Sequence, residues 1–162
     1  MNHTQRLTLM AVLIAIGIVG AQFIWFPTGV ARAYPIQHTV NVIAGVLLGP
    51  GPAVAVAFGI GLLRNMLGIG SLLAFPGGMI GALFAGLAYR WTKKSGLAAV
   101  GEIIGTSILG SLLAVPIAAV FLGQAEGILF FVPGFLVSSV TGAILALMVL
   151  WRIQKRNNKD VS

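Results

Sequence analysis

Residues 34–63 read YPIQHTVNVIAGVLLGPGPAVAVAFGIGLL, and whether this run is one helix or two decides the fold. As a single helix it would be about 45 Å long at a rise of 1.5 Å per residue, against a hydrocarbon core of about 30 Å. It would also carry Gly49-Pro50-Gly51-Pro52 near its middle, where two prolines remove backbone donors and bias the residue before each away from helical geometry. The run therefore predicts two helices, at about 34–48 and 53–67, joined by a tight turn.

Working outward, helix 1 is expected at about 5–25, ended by Pro27, Thr28 and Gly29 ahead of a short outer loop through Arg32. Leu67-Gly68-Ile69-Gly70-Ser71 leads to helix 4 at about 73–91, which Arg90, Lys93 and Lys94 close. Helix 5 is expected at about 97–121, a turn at Gly123 to Gly127, and helix 6 at about 128–152. Helices 2 and 3 are short, which requires a thinned or tilted arrangement. Trp91 and Trp151 lie beside the basic clusters, where an aromatic belt would place them.

Composition agrees with a membrane span pattern. Hydrophobic residues make up 58% of the 162 residues and charged ones 8%, whereas a soluble domain carries roughly 25% charged residues. Six spans of about 20 residues each leave about 40 residues for loops and tails. The expectation is an all-α integral membrane protein, one compact six-helix domain over 1–162. The net charge of +7 belongs at the ends of apolar segments and in the tail from Arg152, which reads as topology signal and not as nucleic-acid binding. Both termini are expected on the cytoplasmic side. Arg6, Arg90, Lys93, Lys94, Arg152, Lys155, Arg156 and Lys159 then lie inside against Arg32 and Arg64 outside. Five helices with the amino terminus outside would exchange only Arg6 for Arg32, so the Pro-Gly-Pro break carries the decision.

Arg6 followed by the apolar stretch Leu7 to Phe26, with Ala31-Arg32-Ala33 behind it, has the outline of a signal peptide. The stretch is longer than the usual apolar region of about 7 to 15 residues, which argues against cleavage. There is no cysteine, so disulfides, thiolate metal sites and thiol nucleophiles are excluded.

Polar groups inside hydrocarbon cost several kcal/mol and usually face a cavity or a partner, so the few present point to function. Tyr34, His38 and Asn41 are spaced i, i+4, i+7, and Gln37 stands four before Asn41, giving the outer half of helix 2 one polar stripe with an aromatic tip. A lone histidine there would cap the helix; four such residues together point to a ligand. Arg64 and Asn65 fall at the outer end of helix 3, where the arginine either holds a polar ligand group or ties down a loop. Phe23, Trp25, Phe26, Phe75, Phe121, Phe130, Phe131 and Phe135 gather at the same level, and two or three of them are expected to line a site for a flat ring. Glu102, with Thr106 one turn on, is placed on the face opposite the stripe, so pairing with Lys93 or Lys94 is its expected role. Ser138, Ser139 and Thr141 are expected to satisfy carbonyls of their own helix. Small residues four apart, among them Ala11 and Ala15, allow close helix approach.

The chain has no Gly-x-x-x-x-Gly-Lys-[Ser/Thr] phosphate cradle, no acidic pair for hydrolysis and no histidine cluster for a metal. It reads as neither an enzyme nor an ATPase, and no cofactor is implied. An intramembrane acidic relay and an inverted repeat are likewise not evident, so a transported solute would need an outside energy source.

The run Arg32-Ala33-Tyr34-Pro35-Ile36-Gln37-His38-Thr39-Val40-Asn41, followed by Gly45, Gly49-Pro50, Arg64-Asn65 and Phe75-Pro76-Gly77-Gly78-Met79-Ile80-Gly81, resembles the ThiW family. These are substrate-capture (S) components of energy-coupling factor (ECF) transporters. The resemblance extends from Ala11 to about Trp151. It implies a vitamin-binding subunit in a prokaryotic cytoplasmic membrane, working with a transmembrane coupling subunit and two cytoplasmic ATPases. Ala11 and Ala15 match the Ala-x-x-x-Ala docking pattern of such components. The implied ligand is hydroxyethylthiazole, the thiazole precursor of thiamine, with Tyr34, Gln37, His38, Asn41, Arg64, Asn65 and Phe75 as candidate binding residues. Another vitamin or heterocycle, and a stand-alone facilitator or channel, stay open as alternatives.

Overall fold

Asn2 starts the first helix by a capping box. Its side chain accepts from the Gln5 amide at 2.8 Å, and the Gln5 side chain accepts from the Asn2 amide at 3.0 Å, so two otherwise orphan donors are satisfied. From there the computed structural model, which describes residues 1–27, 32–123 and 126–159 with side chains through 156, runs through six helices. These are α1 His3–Phe23, α2 Pro35–Leu48, α3 Pro50–Met66, α4 Ala74–Thr92, α5 Ser95–Phe121 and α6 Ile128–Lys159.

The break after Leu48 is tighter than expected. Gly49 alone separates α2 from α3, with φ at +85°, a backbone conformation that favours glycine. Pro50 and Pro52 do not make a turn; they lie in the first turn of α3, which begins at 50 and not at 53. Amides there have no intrahelical acceptor, so proline loses nothing by lacking one, and its fixed φ suits a helix start.

The expected outer loop contains a two-residue antiparallel ladder, Phe26–Pro27 against Arg32–Ala33; Thr28, Gly29 and Ala31 lie outside the described residues. Gln124 and Ala125 of the expected turn before α6 lie outside them as well.

α5 starts at Ser95, two residues early, and winds as a π-helix over Gly105–Gly110. That stretch, together with the turns before it, packs on α4. A Cβ on Gly110 would come within 2.6 Å of Gly77 Cα, and one on Gly105 within 3.1 Å of Gly81 Cα. Glycine against glycine lets the two backbones approach closely, which carries the α5 side chains Glu102 and Thr106 into the middle of the molecule.

That middle is built around α2. Every residue from Gln37 to Gly45 is buried, the mark of a helix enclosed on all sides, and α1, α3, α4, α5 and α6 all pack on it. α1 is the opposite case: it buries only Leu13, Gly17 and Ala21 and leaves Val12, Ile16, Val19 and Phe23 exposed. Apolar side chains facing outward around the bundle belong to a protein whose solvent is lipid. Three helices, His3–Phe23, Ser95–Phe121 and the Ile128–Arg156 portion of α6, are long and apolar enough to cross a membrane on their own. α2, at 14 residues, is only about 21 Å long.

Candidate functional site

Tyr34 stands immediately before α2. Its amide donates to Ser138 Oγ on α6 at 2.8 Å and its hydroxyl donates to the Ile69 carbonyl at 3.0 Å, so the ring is fixed at both ends. The Arg64 guanidinium, coming from the end of α3, lies 3.7 Å above that ring in a cation–π contact. Arg64 also donates to Gln37 Oε1 and, at 3.4 Å, to the Ile69 carbonyl. Although Arg64 is buried, among the described residues it has no carboxylate partner.

These groups form one wall of a cavity of about 310 Å³ lined by Tyr34, Gln37, His38, Arg64, Arg32 and Thr106 on its polar side. Phe130, Phe131 and Phe135 from α6 supply the aromatic side. The sequence reading therefore has Tyr34, Gln37, His38 and Arg64 brought together at one cavity, and three of the eight aromatic candidates line it.

The remaining candidates sit elsewhere. Asn41 is one turn deeper and fully buried, with Nδ2 donating to the Gly78 carbonyl at 3.1 Å and to Glu102 Oε1 at 3.3 Å. Asn65 ties the α3–α4 connection to its own helix, donating to the Gly61 and Ser71 carbonyls, and is not among the residues that line the cavity. Phe75 packs on Phe58 at 5.7 Å between centroids and against Gly61, away from the lining.

Glu102 overturns its expected pairing. It is 0% exposed and reaches neither Lys93 nor Lys94. Its Oε1 lies 2.6 Å from His38 Nδ1 and 2.9 Å from Thr106 Oγ1. The physical reason is the face. Ala98, Glu102 and Thr106 follow one another at four-residue spacing, all are buried, and Gly101 and Gly105 of the same helix lie against α4. Glu102 therefore turns inward with the small residues, toward the stripe and not away from it. The one acidic residue of an apolar helix, four positions before a threonine and among glycine and alanine, was the signal available for this. A Cβ on Gly81 would come within 2.8 Å of Glu102 Oε1, so glycine there leaves the room that the carboxyl occupies.

On α6 the three hydroxyls differ. Ser139 and Thr141 donate to carbonyls of their own helix, as expected, whereas Ser138 holds Tyr34 and lines the cavity. The arrangement as a whole offers a flat ring an aromatic wall, and offers a polar substituent an imidazole, a carboxamide and a guanidinium. It contains the features of a binding site for a small heterocycle.

Ala11 and Ala15 are both exposed on α1. A family model described as "Thiamine-precursor transporter protein (ThiW)" matches residues 7–156. Comparison with curated proteins gives no match.

Proposed function

The chain belongs to the ThiW family of thiamine-precursor transporters, and from that premise we propose that it is the substrate-capture component of an ECF-type importer, binding hydroxyethylthiazole in the cavity under Tyr34. The observation that carries this reading is the cavity itself. At about 310 Å³ it lies at the small end of the range of roughly 300–1,000 Å³ for small-molecule sites, as a single thiazole with a two-carbon arm requires. Phe130, Phe131 and Phe135 supply faces for the ring, and Gln37, His38 and Arg64 supply partners for a hydroxyl and a ring nitrogen.

In this reading all six helices cross or enter a prokaryotic cytoplasmic membrane, with both termini inside. The short α2 does not need to reach either surface, because its outer end packs on α6, with Ser138 on the Tyr34 amide and Gly142 against Pro35 and His38. Energy comes from outside the chain, through a coupling subunit and two ATPases. The exposed Ala11 and Ala15 on the thinly packed α1 supply a flat strip for that coupling subunit.

Titration of the detergent-purified chain with hydroxyethylthiazole, with thiamine and its pyrimidine precursor as controls, tests the ligand. Saturable binding selective for the thiazole is expected; equal or absent binding to a folded sample would remove it. Ala11→Leu with Ala15→Leu is expected to leave that affinity within about twofold, because neither residue lies near the cavity, while abolishing co-purification with the coupling subunit.

A further inference from the structure

We propose that Glu102, which does not line the cavity, is a positioning residue that fixes the proton of His38 on Nδ1 and so presents Nε2 to the ligand as a hydrogen-bond acceptor. The inference rests on the cavity being the ligand site.

Three side chains converge on a single oxygen. Glu102 Oε1 receives Asn41 Nδ2 at 3.3 Å, Thr106 Oγ1 at 2.9 Å and His38 Nδ1 at 2.6 Å. Thr106 Oγ1 also lies 3.1 Å from the Gly77 carbonyl, so its one hydrogen is divided between two acceptors. An oxygen that serves several donors is an acceptor toward the imidazole as well, which places the shared proton on Nδ1. In a neutral imidazole the other nitrogen is then bare, and the partner of one ring nitrogen sets the chemistry of the other.

Nε2 has no hydrogen-bond partner among the described residues, while His38 lines the cavity. The nitrogen left for a ligand is thus an acceptor, and what it selects is a donor. A thiazole nitrogen cannot satisfy it, but the hydroxyl of a hydroxyethyl arm can. The arm then points at α2 and the ring falls toward the phenylalanines of α6. Glu102 determines specificity from behind the site, at a position where Asn41 and Thr106 keep its oxygen in place.

Nitrogen NMR of ¹⁵N-histidine-labelled chain reads the tautomer directly, and His3→Gln removes the second histidine, which is exposed at the start of α1. In the parent chain Nδ1 is expected to carry the proton and Nε2 to be bare, with Nε2 shifting when hydroxyethylthiazole binds. The same ring carrying an ethyl arm is expected to leave Nε2 unchanged.

Glu102→Gln keeps an acceptor oxygen where Asn41 and Thr106 donate and is expected to keep the tautomer, whereas Glu102→Leu removes the acceptor and frees the ring proton to move to Nε2. The ligand hydroxyl must then turn to accept from Nε2–H and gives up the bond it donated, so affinity for the hydroxyl ligand is expected to fall about fivefold in Glu102→Leu, with the ethyl analogue changing less than about twofold. Glu102→Asp is expected to restore the tautomer in part. A parent ring protonated on Nε2, or equal losses for the two ligands, overturns the proposal. Should Glu102→Leu fail to fold, the parent spectra with each ligand decide alone. Failure of the parent chain to bind the thiazole overturns the ligand reading instead, and the unliganded spectrum still decides whether Glu102 sets the tautomer.

Discussion

α1 and α2 are both apolar helices, yet α1 keeps three residues buried while α2 has every position from Gln37 to Gly45 enclosed. Hydrophobicity does not separate them. In lipid a leucine gains little by moving from the tails to a protein interior, so an apolar side chain is indifferent to which side it faces. A polar one is not. Gln37, His38, Thr39 and Asn41 find partners only inside, at Arg64, Glu102, Gly78 and Gly142. The polar content of α2 assigns it to the centre, and its absence from the middle of α1 leaves that helix at the edge.

The contrast breaks most completely where the centre is tightest. Gly81→Leu pushes a side chain into the oxygen of Glu102 and into Thr106, and overpacking of that kind costs about 3 kcal/mol. Together with loss of the His38 pairing, this is expected to abolish a monodisperse gel-filtration peak. Ala15→Leu on the exposed face of α1 makes a comparable change in volume and is expected to leave the peak and the thermal midpoint unchanged.

A smaller effect separates the lining of the cavity from its surroundings. His38→Ala removes both a ligand partner and the partner of Glu102, and affinity for hydroxyethylthiazole is expected to fall at least about tenfold. Phe75→Leu changes a ring that packs on Phe58 outside the lining, and affinity there is expected to stay within about twofold. Calorimetric titration of the two variants side by side checks both, and a larger loss at Phe75 than at His38 would show that the ligand lies on the α3 side of the bundle.

How much of this was legible follows from the same distinction. The stripe on α2 could be read because its spacing is internal to one helix, and the break at Gly49 could be read because proline acts on its own backbone. What could not be read is which way a helix faces once it leaves that local frame. Position near the cytoplasmic start of its helix would put Glu102 on the face opposite the stripe and so beside Lys93 and Lys94, whereas its orientation is decided by Gly101 and Gly105 docking on α4, a contact between segments. The expected start of α3 falls three residues late because proline breaks a helix interior yet is equally at home in a first turn. Phe75 and Asn65 share the depth of the site but not its lining, because depth in the membrane says nothing about azimuth around the bundle.

The smallest test uses two neighbours on α6. Ser138 accepts from the Tyr34 amide at 2.8 Å and faces the cavity; Ser139 is buried but donates back to the Leu136 carbonyl of its own helix. Ser138→Ala leaves the part-buried Tyr34 amide without that acceptor, a loss of about 1 kcal/mol. Ser139→Ala removes a bond that the helix does not need, since the serine only shares a carbonyl already in the helical ladder, and is expected to change stability by less than about 0.5 kcal/mol. Thermal unfolding in detergent should therefore lower the midpoint for Ser138→Ala alone. Ligand should widen the gap, because Tyr34 held by Ser138 is the ring on which Arg64 rests, and loosening it disturbs the wall of the cavity. Equal midpoints with and without ligand would mean that the outer end of α2 is held by its enclosure alone, and that the hydroxyls on the two sides of α6 are interchangeable after all.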